Sequence, residues 1–457
     1  MEIIYSSTGQ LAAAIRERRA SAREVLDVHL NQIHEHNAAI NAVITLDADR
    51  ARERAREADA ALDRGTVWGP LHGVPFTLKD AFATAGVRTT VGFPPLAEYV
   101  PDEDSTVAAR LKQAGGILVG KTNVAELLAD FQSSNPLFGR TSNPWNPART
   151  SGGSSGGAAA AVAAGMTPFD VGTDLSASIR LPSAYCGVFG LKPTERRVAL
   201  TGVVPDPRGT PRSVRIMASV GPIARSVEDL ALLYSIIAGP DGRDTEVQPV
   251  PVEPLTPAEL KQVRVAFAPT FPGLPAAASI REAITALGRQ LVPICSVVEE
   301  ATFSEVNFPE ALASVGPLIG MILGAFDERS KERVATLPQY LEALQRRDER
   351  ILEWERFFQQ WDVLICPASM VTAFPHCKPG SPLQVDDRSE DYWMVSAHGA
   401  VFNYTGHPAV SVPYALDRDG LPIGVQLVGK RWGESRLLGI AQSLMAQTGG
   451  FRRPPGY

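Results

Sequence analysis

An α/β layered fold is the class this sequence predicts, and three observations predict it. Short apolar runs of strand length alternate with helix-length stretches along most of the chain. A glycine/serine loop, Ser151 to Gly157, feeds directly into an alanine-rich helix, Ala158 to Ala164, and past Gly165 into an apolar strand around Pro168 to Gly172. A flexible linker would not lead into a helix former and then a strand, so the loop reads as part of the fold. Finally, no internal repeat is present, and no low-complexity segment beyond that loop.

The N-terminal 65 residues read as helical. Ser7 and Thr8 can cap a helix running to about Arg19, and Ser21 a second running to His36. Asp47 to Asp63 is rich in Ala, Arg and Glu with opposite charges four apart, the pattern of a solvated helix ended by Gly65. Val74 to Leu78 is a short apolar strand that carries Lys79 to its end, and Ser105 to Ala114 an amphipathic helix. Gly115 to Thr122 (GGILVGKT) fits the phosphate-loop pattern, but a helix precedes it and Ile117, Leu118 and Val119 form a strand of their own, so an ATP site is rejected. Phe131 to Asn146 is polar loop. A second run of small residues, Leu175 to Ser178, follows the central strand, and Ser226 caps a helix to about Ala238. Beyond it come a strand (Val263 to Ala268), a helix (Ser279 to Leu287), a strand (Ser296 to Ala301) and mostly helix from Phe308 to Trp361. Val363 to Cys366 is a buried strand, Asn403 to Pro408 a turn, Ala409 to Pro413 and Ile423 to Val428 strands, and Glu434 to Met445 a closing helix.

Composition narrows the function. The 457 residues are 44% hydrophobic and 21% charged, ordinary for a soluble globular protein. A net charge of −6 with no long basic run argues against nucleic acid or anionic membrane as partner. The N-terminus has no signal-peptide character, and no apolar run is long enough to span a bilayer. Cys186, Cys295, Cys366 and Cys377 lack CxxC spacing and read as reduced thiols of a cytoplasmic protein. His34 and His36 stand two apart on a predicted helix with no third ligand following, so no metal is expected. Size alone suggests two or three domains.

Two catalytic readings compete for the glycine/serine loop. Gly152 to Gly156 fits GxSxG, which would make Ser154 the nucleophile of an α/β-hydrolase with His398 or His407 as base; the required preceding strand is missing from Asn143 to Pro147. The other reading rests on Lys79, the twin Ser154–Ser155, and Ser178. Together with GVPFTLKD at 73–80, GKTNVAE at 120–126, SNPLFGRTSNPWNP at 134–147, SGGSSGGAAAAVAAG at 151–165, GTDLSASIRLPSAYCGVFGLKPT at 172–194 and NYTGHPAVSVP at 403–413, they resemble the amidase signature family.

That resemblance implies one amidase domain over 1–457, a large mixed twisted sheet flanked by helices on both faces. Residues 1–65 would pack on it as a helical segment and 310–400 would cover the substrate. It implies a Ser–cis-Ser–Lys triad: Ser178 as nucleophile, Ser154 bridging in a cis peptide with Gly153, and Lys79 as base. A serine hydroxyl needs a neighbour to take its proton, and lysine serves only when neutral. Lowering its pKa from 10.4 to about 7 costs roughly 4–5 kcal/mol. Burial beside Val74, Phe76 and Leu78 would supply part of that shift, and the N-terminal end of the helix near Gly157 would add to it. Backbone N–H groups of Leu175, Ser176, Ala177 and Ser178 would hold the oxyanion, provided the turn keeps negative φ. Here the chain departs from the family, which has two glycines before the nucleophile where this sequence has Ser176 and Ala177. Ser155, Asp174 and Arg180 are expected to support the site, and Leu128, Phe131 and Ser133 to line the substrate pocket. The reaction implied is hydrolysis of a small-molecule amide, with esters and carbamates within reach of the same chemistry. No metal or organic cofactor is implied, and a homodimer is one option for assembly. The alternatives are a glutamine-dependent amidotransferase subunit with partner subunits, and a non-catalytic relative.

Overall fold

The computed structural model describes residues 2–204, 214, 216–303, 306–324 and 335–457. Its centre is an eight-stranded mixed sheet in the order Val297–Glu300, Arg264–Phe267, Val363–Pro367, Pro422–Val428, Ala409–Leu416, Phe189–Lys192, Ser219–Ala224, Phe169–Asp174. The first three strands run parallel to one another, and every later pairing is antiparallel. Helices flank it, among them Gly156–Ala163, Arg180–Cys186, Ala278–Leu291 and Glu434–Thr448. A smaller sheet pairs Ile117–Thr122 with Val43–Leu46 on one side and Pro75–Lys79 on the other.

The two sheets meet along a seam closed by one side chain. The Asp170 carboxylate accepts the hydroxyls of Thr77 (2.7 Å) and Thr122 (3.0 Å) and the backbone N–H of Lys79 (2.9 Å). Phe76 stacks on Phe169 across the same seam, ring centroids 5.4 Å apart. A buried carboxylate with three donors is the kind of polar group an interior tolerates, and it fixes Lys79 against the end of strand Phe169–Asp174.

The expected helices of the N-terminal segment are present as Thr8–Arg16, Ala22–Ile40 and Ala48–Asp63, the first two opened by capping boxes on Ser7 and Ser21. Several expectations are corrected. Helix Ala22–Ile40 runs past His36, ending where Asn41 takes a left-handed conformation. Asn403 and Tyr404 are not turn but the last residues of helix Ala397–Tyr404. The polar stretch Phe131 to Asn146 holds two small hairpins, and Asn146–Thr150 is a strand leading to the serine loop. The mostly helical stretch expected from Phe308 to Trp361 holds helices Phe308–Gly324 and Leu337–Gln360; residues 325–334, part of the expected substrate-covering region 310–400, lie outside the described residues. Among the described residues no helix is long and apolar enough to cross a membrane.

Helix Leu337–Gln360 delivers Trp354 into an aromatic cluster with Phe271, Phe303, Phe308, Phe357, Phe358 and Phe402, with Trp354 fully buried and 4.9 Å from Phe402. That cluster seats helix Ala397–Tyr404, which reaches the site. Trp354→Ala should therefore lower unfolding free energy by about 3–5 kcal/mol, read from urea midpoints. Leu352→Ala, on the exposed face of the same helix, should stay within about 0.5 kcal/mol.

Candidate active site

Lys79 ends a strand in which every residue is buried, and its amine emerges among hydroxyls. Nζ lies 2.8 Å from each of Ser154 Oγ, Ser155 Oγ and Thr173 Oγ1. Burial lowers its pKa to about 7, against the pull of the Asp174 and Asp170 carboxylates. A neutral amine here could donate two N–H groups to Ser155 and Thr173 while its lone pair accepts from Ser154. Burial likewise raises Asp170, to about 7, despite its hydroxyl and amide donors.

Ser154 follows the cis peptide bond Gly153–Ser154. A side chain at 153 has no room, because a Cβ there would lie 2.6 Å from Asp130 O and 2.7 Å from Gln132 N. The neighbouring Ser133 hydroxyl donates to Ser154 O (3.2 Å) and accepts from Gly156 N–H (2.8 Å). Ser133 is thus corrected from pocket lining to a brace of the serine loop; it is only 1% exposed.

Ser178 sits on the adjacent turn, tied to the loop by Ser155 N–H donating to its carbonyl at 3.2 Å. Its Oγ makes no hydrogen bond with Ser154 Oγ or any other described group. Lys79 and Ser154 are therefore brought into contact, with Ser178 on the turn beside them. Contacts of this kind commonly tighten only when substrate binds.

The turn itself is organised by Asp174. Its carboxylate accepts Ala177 N–H (2.8 Å) and Ile179 N–H (3.0 Å), and pairs with the Arg180 guanidinium through two contacts of 3.1 Å. Burial pushes the Asp174 pKa up, but Arg180 and the surrounding donors outweigh it and hold it at about 2. Asn403 completes the frame, accepting Ala177 N–H at 3.1 Å and donating to Asp174 O and Oδ1 at 2.9 Å each. Ala177 is therefore corrected as an oxyanion donor: its N–H is committed to Asp174 and Asn403, and its φ is +69°, not negative. The N–H groups of Leu175, Ser176 and Ser178 have no partner among the described residues. The strained Ala177 is accommodated because Gly399 faces it; a Cβ at 399 would lie 2.5 Å from Ala177 Cβ.

Of the expected pocket residues, Phe131 is half-buried against Tyr392 and Trp393, with centroids 6.1 and 5.9 Å away, and Leu128 packs with Ala81, Val91 and Val204. The α/β-hydrolase reading fails on its base. A strand does precede Ser154, but His398 lies against Phe271, and His407 contacts Thr405. Burial holds both histidines neutral, and neither reaches Ser154. His34 and His36 meet no third ligand; no group of three or more metal-binding side chains exists among the described residues. Sequence reasoning missed Thr173, Asp170, Asn403 and Ser396. Thr173 and Asn403 carried a signal, lying within the quoted stretches at 172–194 and 403–413.

Burial gives the Lys79 amine a pKa of about 7. If this amine serves as the base, its deprotonated form is the active one and activity is lost as pH falls. Log kcat/KM should rise with a slope of about one below pH 7 and level off above it. A profile flat between about pH 5.5 and 8 would contradict this.

The sequence and coordinates also match known proteins. The Amidase family profile fits residues 24–316 and 313–438. The glutamyl-tRNA(Gln) amidotransferase A subunit of Thermosynechococcus vestitus is 33% identical over a 498-residue alignment spanning 100% of both chains. Two solved structures superpose closely. A chain from a vestigial protein complex that reveals the evolutionary origins of an s-triazine catabolic enzyme gives a TM-score of 0.85 at 30% identity, over 98% of this chain and 100% of that one. The 6-aminohexanoate cyclic dimer hydrolase complexed with substrate gives 0.82 at 27%, over 100% and 99%. With the profile covering most of the chain and a full-length relative at 33% identity, this protein belongs to the Amidase family, the amidase signature enzymes.

Proposed function

We propose that this protein is a serine amidohydrolase that opens a carboxylic amide C–N bond through an acyl-enzyme on Ser178. Neutral Lys79 takes the Ser154 proton as Ser154 takes that of Ser178, whose oxygen attacks the substrate carbonyl. The tetrahedral oxyanion then meets the N–H groups of Leu175, Ser176 and Ser178, each such donor being worth about 10²–10³ in rate. The proton held on Lys79 returns through Ser154 to the leaving nitrogen, and water repeats the sequence on the acyl-enzyme. Esters and carbamates form the same kind of oxyanion and fall within this scheme. Phe131 and Leu128 would form an apolar wall near the scissile bond, and the chain would act as a single catalytic unit over 1–457. The observation that carries the reading is the buried Lys79 amine, with a pKa of about 7, 2.8 Å from the Ser154 hydroxyl.

A second reading is favoured by the full-length similarity to an amidotransferase of glutamyl-tRNA(Gln). It shares the acyl transfer but takes glutamine as donor and passes ammonia to a partner. Glutaminase activity together with a co-purifying partner would select it.

Two measurements test the main reading. A sulfonyl fluoride adduct mapped by peptide mass should fall on Ser178, whereas an adduct on Ser154 would contradict the assignment. Lys79→Ala should retain the fold by circular dichroism and lose at least about a hundredfold in kcat/KM.

A further inference from the structure

The turn before Ser178 carries a hydroxyl that the acyl-transfer scheme leaves unused. Ser176 stands at one of the two positions where the family pattern has glycine, and its Oγ lies 3.1 Å from Ser396 Oγ. Ser396 is 2% exposed, and its hydroxyl has no other partner among the described residues. A serine hydroxyl owns one proton and two lone pairs. If Ser176 donated in this pair, the Ser396 proton would be buried without an acceptor, which is unfavourable. The favoured polarity is the reverse: Ser396 donates, Ser176 accepts, and the half-buried Ser176 keeps its own proton free.

That free proton belongs to the turn that also bears the unpartnered N–H groups of Leu175, Ser176 and Ser178. Its position is fixed on three sides. Ala177 N–H is held by Asp174 and Asn403, Ala177 Cβ is seated against Gly399, and Ser176 Oγ is tied to Ser396. Glycine at 176 would supply the same backbone donor but no side-chain donor.

Building on the proposed acyl-transfer reading, we propose that Ser176 is a specificity-determining substrate contact. Its hydroxyl donates to an oxygen on the acyl side of the substrate's carbonyl carbon, which favours carbamates over simple carboxamides. In a carboxamide the carbonyl is flanked by a carbon and a nitrogen whose lone pair is delocalised, and neither accepts a hydrogen bond. In a carbamate the acyl-side atom is an oxygen, which besides its delocalised lone pair keeps a second, in-plane pair that accepts. A site that positions a donor for an atom discriminates against a substrate lacking it, because the donor is left unpaired.

The test is an isosteric pair with the same aniline leaving group: O-ethyl N-phenylcarbamate and butyranilide, which differ by oxygen for methylene. Ser176→Ala should lower the carbamate-to-anilide ratio of kcat/KM by about ten- to a hundredfold. Ser176→Thr, which keeps a donor hydroxyl, should restore most of the ratio. A ratio unmoved in Ser176→Ala overturns the proposal, whether both rates hold or both fall. A Ser176→Thr variant no better than Ser176→Ala also overturns it, because a merely structural role would then explain the loss. Sulfonyl fluoride labelling of the wild type separates the two levels. With the adduct on Ser178 and the ratio unmoved, only the Ser176 assignment fails; with no adduct on Ser178, both readings fall together.

Discussion

A lysine amine kept out of water, in contact with a serine hydroxyl, is the interaction on which the rest of this structure depends. Exposed, Lys79 would be protonated at neutral pH and unable to accept a proton. Buried at the end of a strand whose five residues are all buried, it has a pKa of about 7. The surrounding architecture follows from that need. The Asp170 carboxylate clips the strand carrying Lys79 to both sheets by accepting from Thr77, Thr122 and the Lys79 backbone. Ser155 and Thr173 supply hydroxyls for the N–H groups of the amine, so it is buried without being left unpartnered.

A second device manages the charge nearest the amine. Asp174 is the carboxylate near Lys79 held firmly ionised, and its charge is matched by Arg180 and spent on the backbone of the turn. The same carboxylate that shapes the turn also raises the lysine pKa, so its neutralisation by Arg180 serves both ends. Helix Ala397–Tyr404 and the residues just before it close the frame from the far side of the fold. Asn403 holds the Ala177 N–H, Gly399 makes room for the Ala177 methyl, and Ser396 meets Ser176. Together these contacts hold the turn with Ser176 and Ala177 in place.

Much of this was legible in the sequence, for reasons that can be named. The strand that delivers Lys79 is an unbroken apolar run, and the helices Thr8–Arg16 and Ala22–Ile40 announce themselves through capping boxes. Lys79, Ser154 and Ser178 emerged from motif resemblance, since no periodicity relates residues 75 and 24 positions apart. What stayed hidden lacked a local signature. Ser219–Ala224 contains Gly221 and Pro222, which weaken its strand pattern, and it is not among the expected strands. Pro222 is tolerated because the ladder to Phe189–Lys192 involves only Ile223 and Ala224. Helix Ala397–Tyr404 is buried all round and so shows no amphipathic period, and helix Arg180–Cys186 is seven residues long with a proline inside. The commitment of the Ala177 N–H is hidden in the sequence because it depends on how the turn folds Asp174 back on it and on Asn403, 226 residues away.

The most direct test is the ionisation of Lys79 itself, followed by NMR of the enzyme labelled with ¹³C at lysine Cε and assigned with Lys79→Arg. The account predicts a titration centred at about 7, more than three units below an exposed lysine. An amine that stays protonated up to about pH 10, the ordinary lysine range, would contradict it.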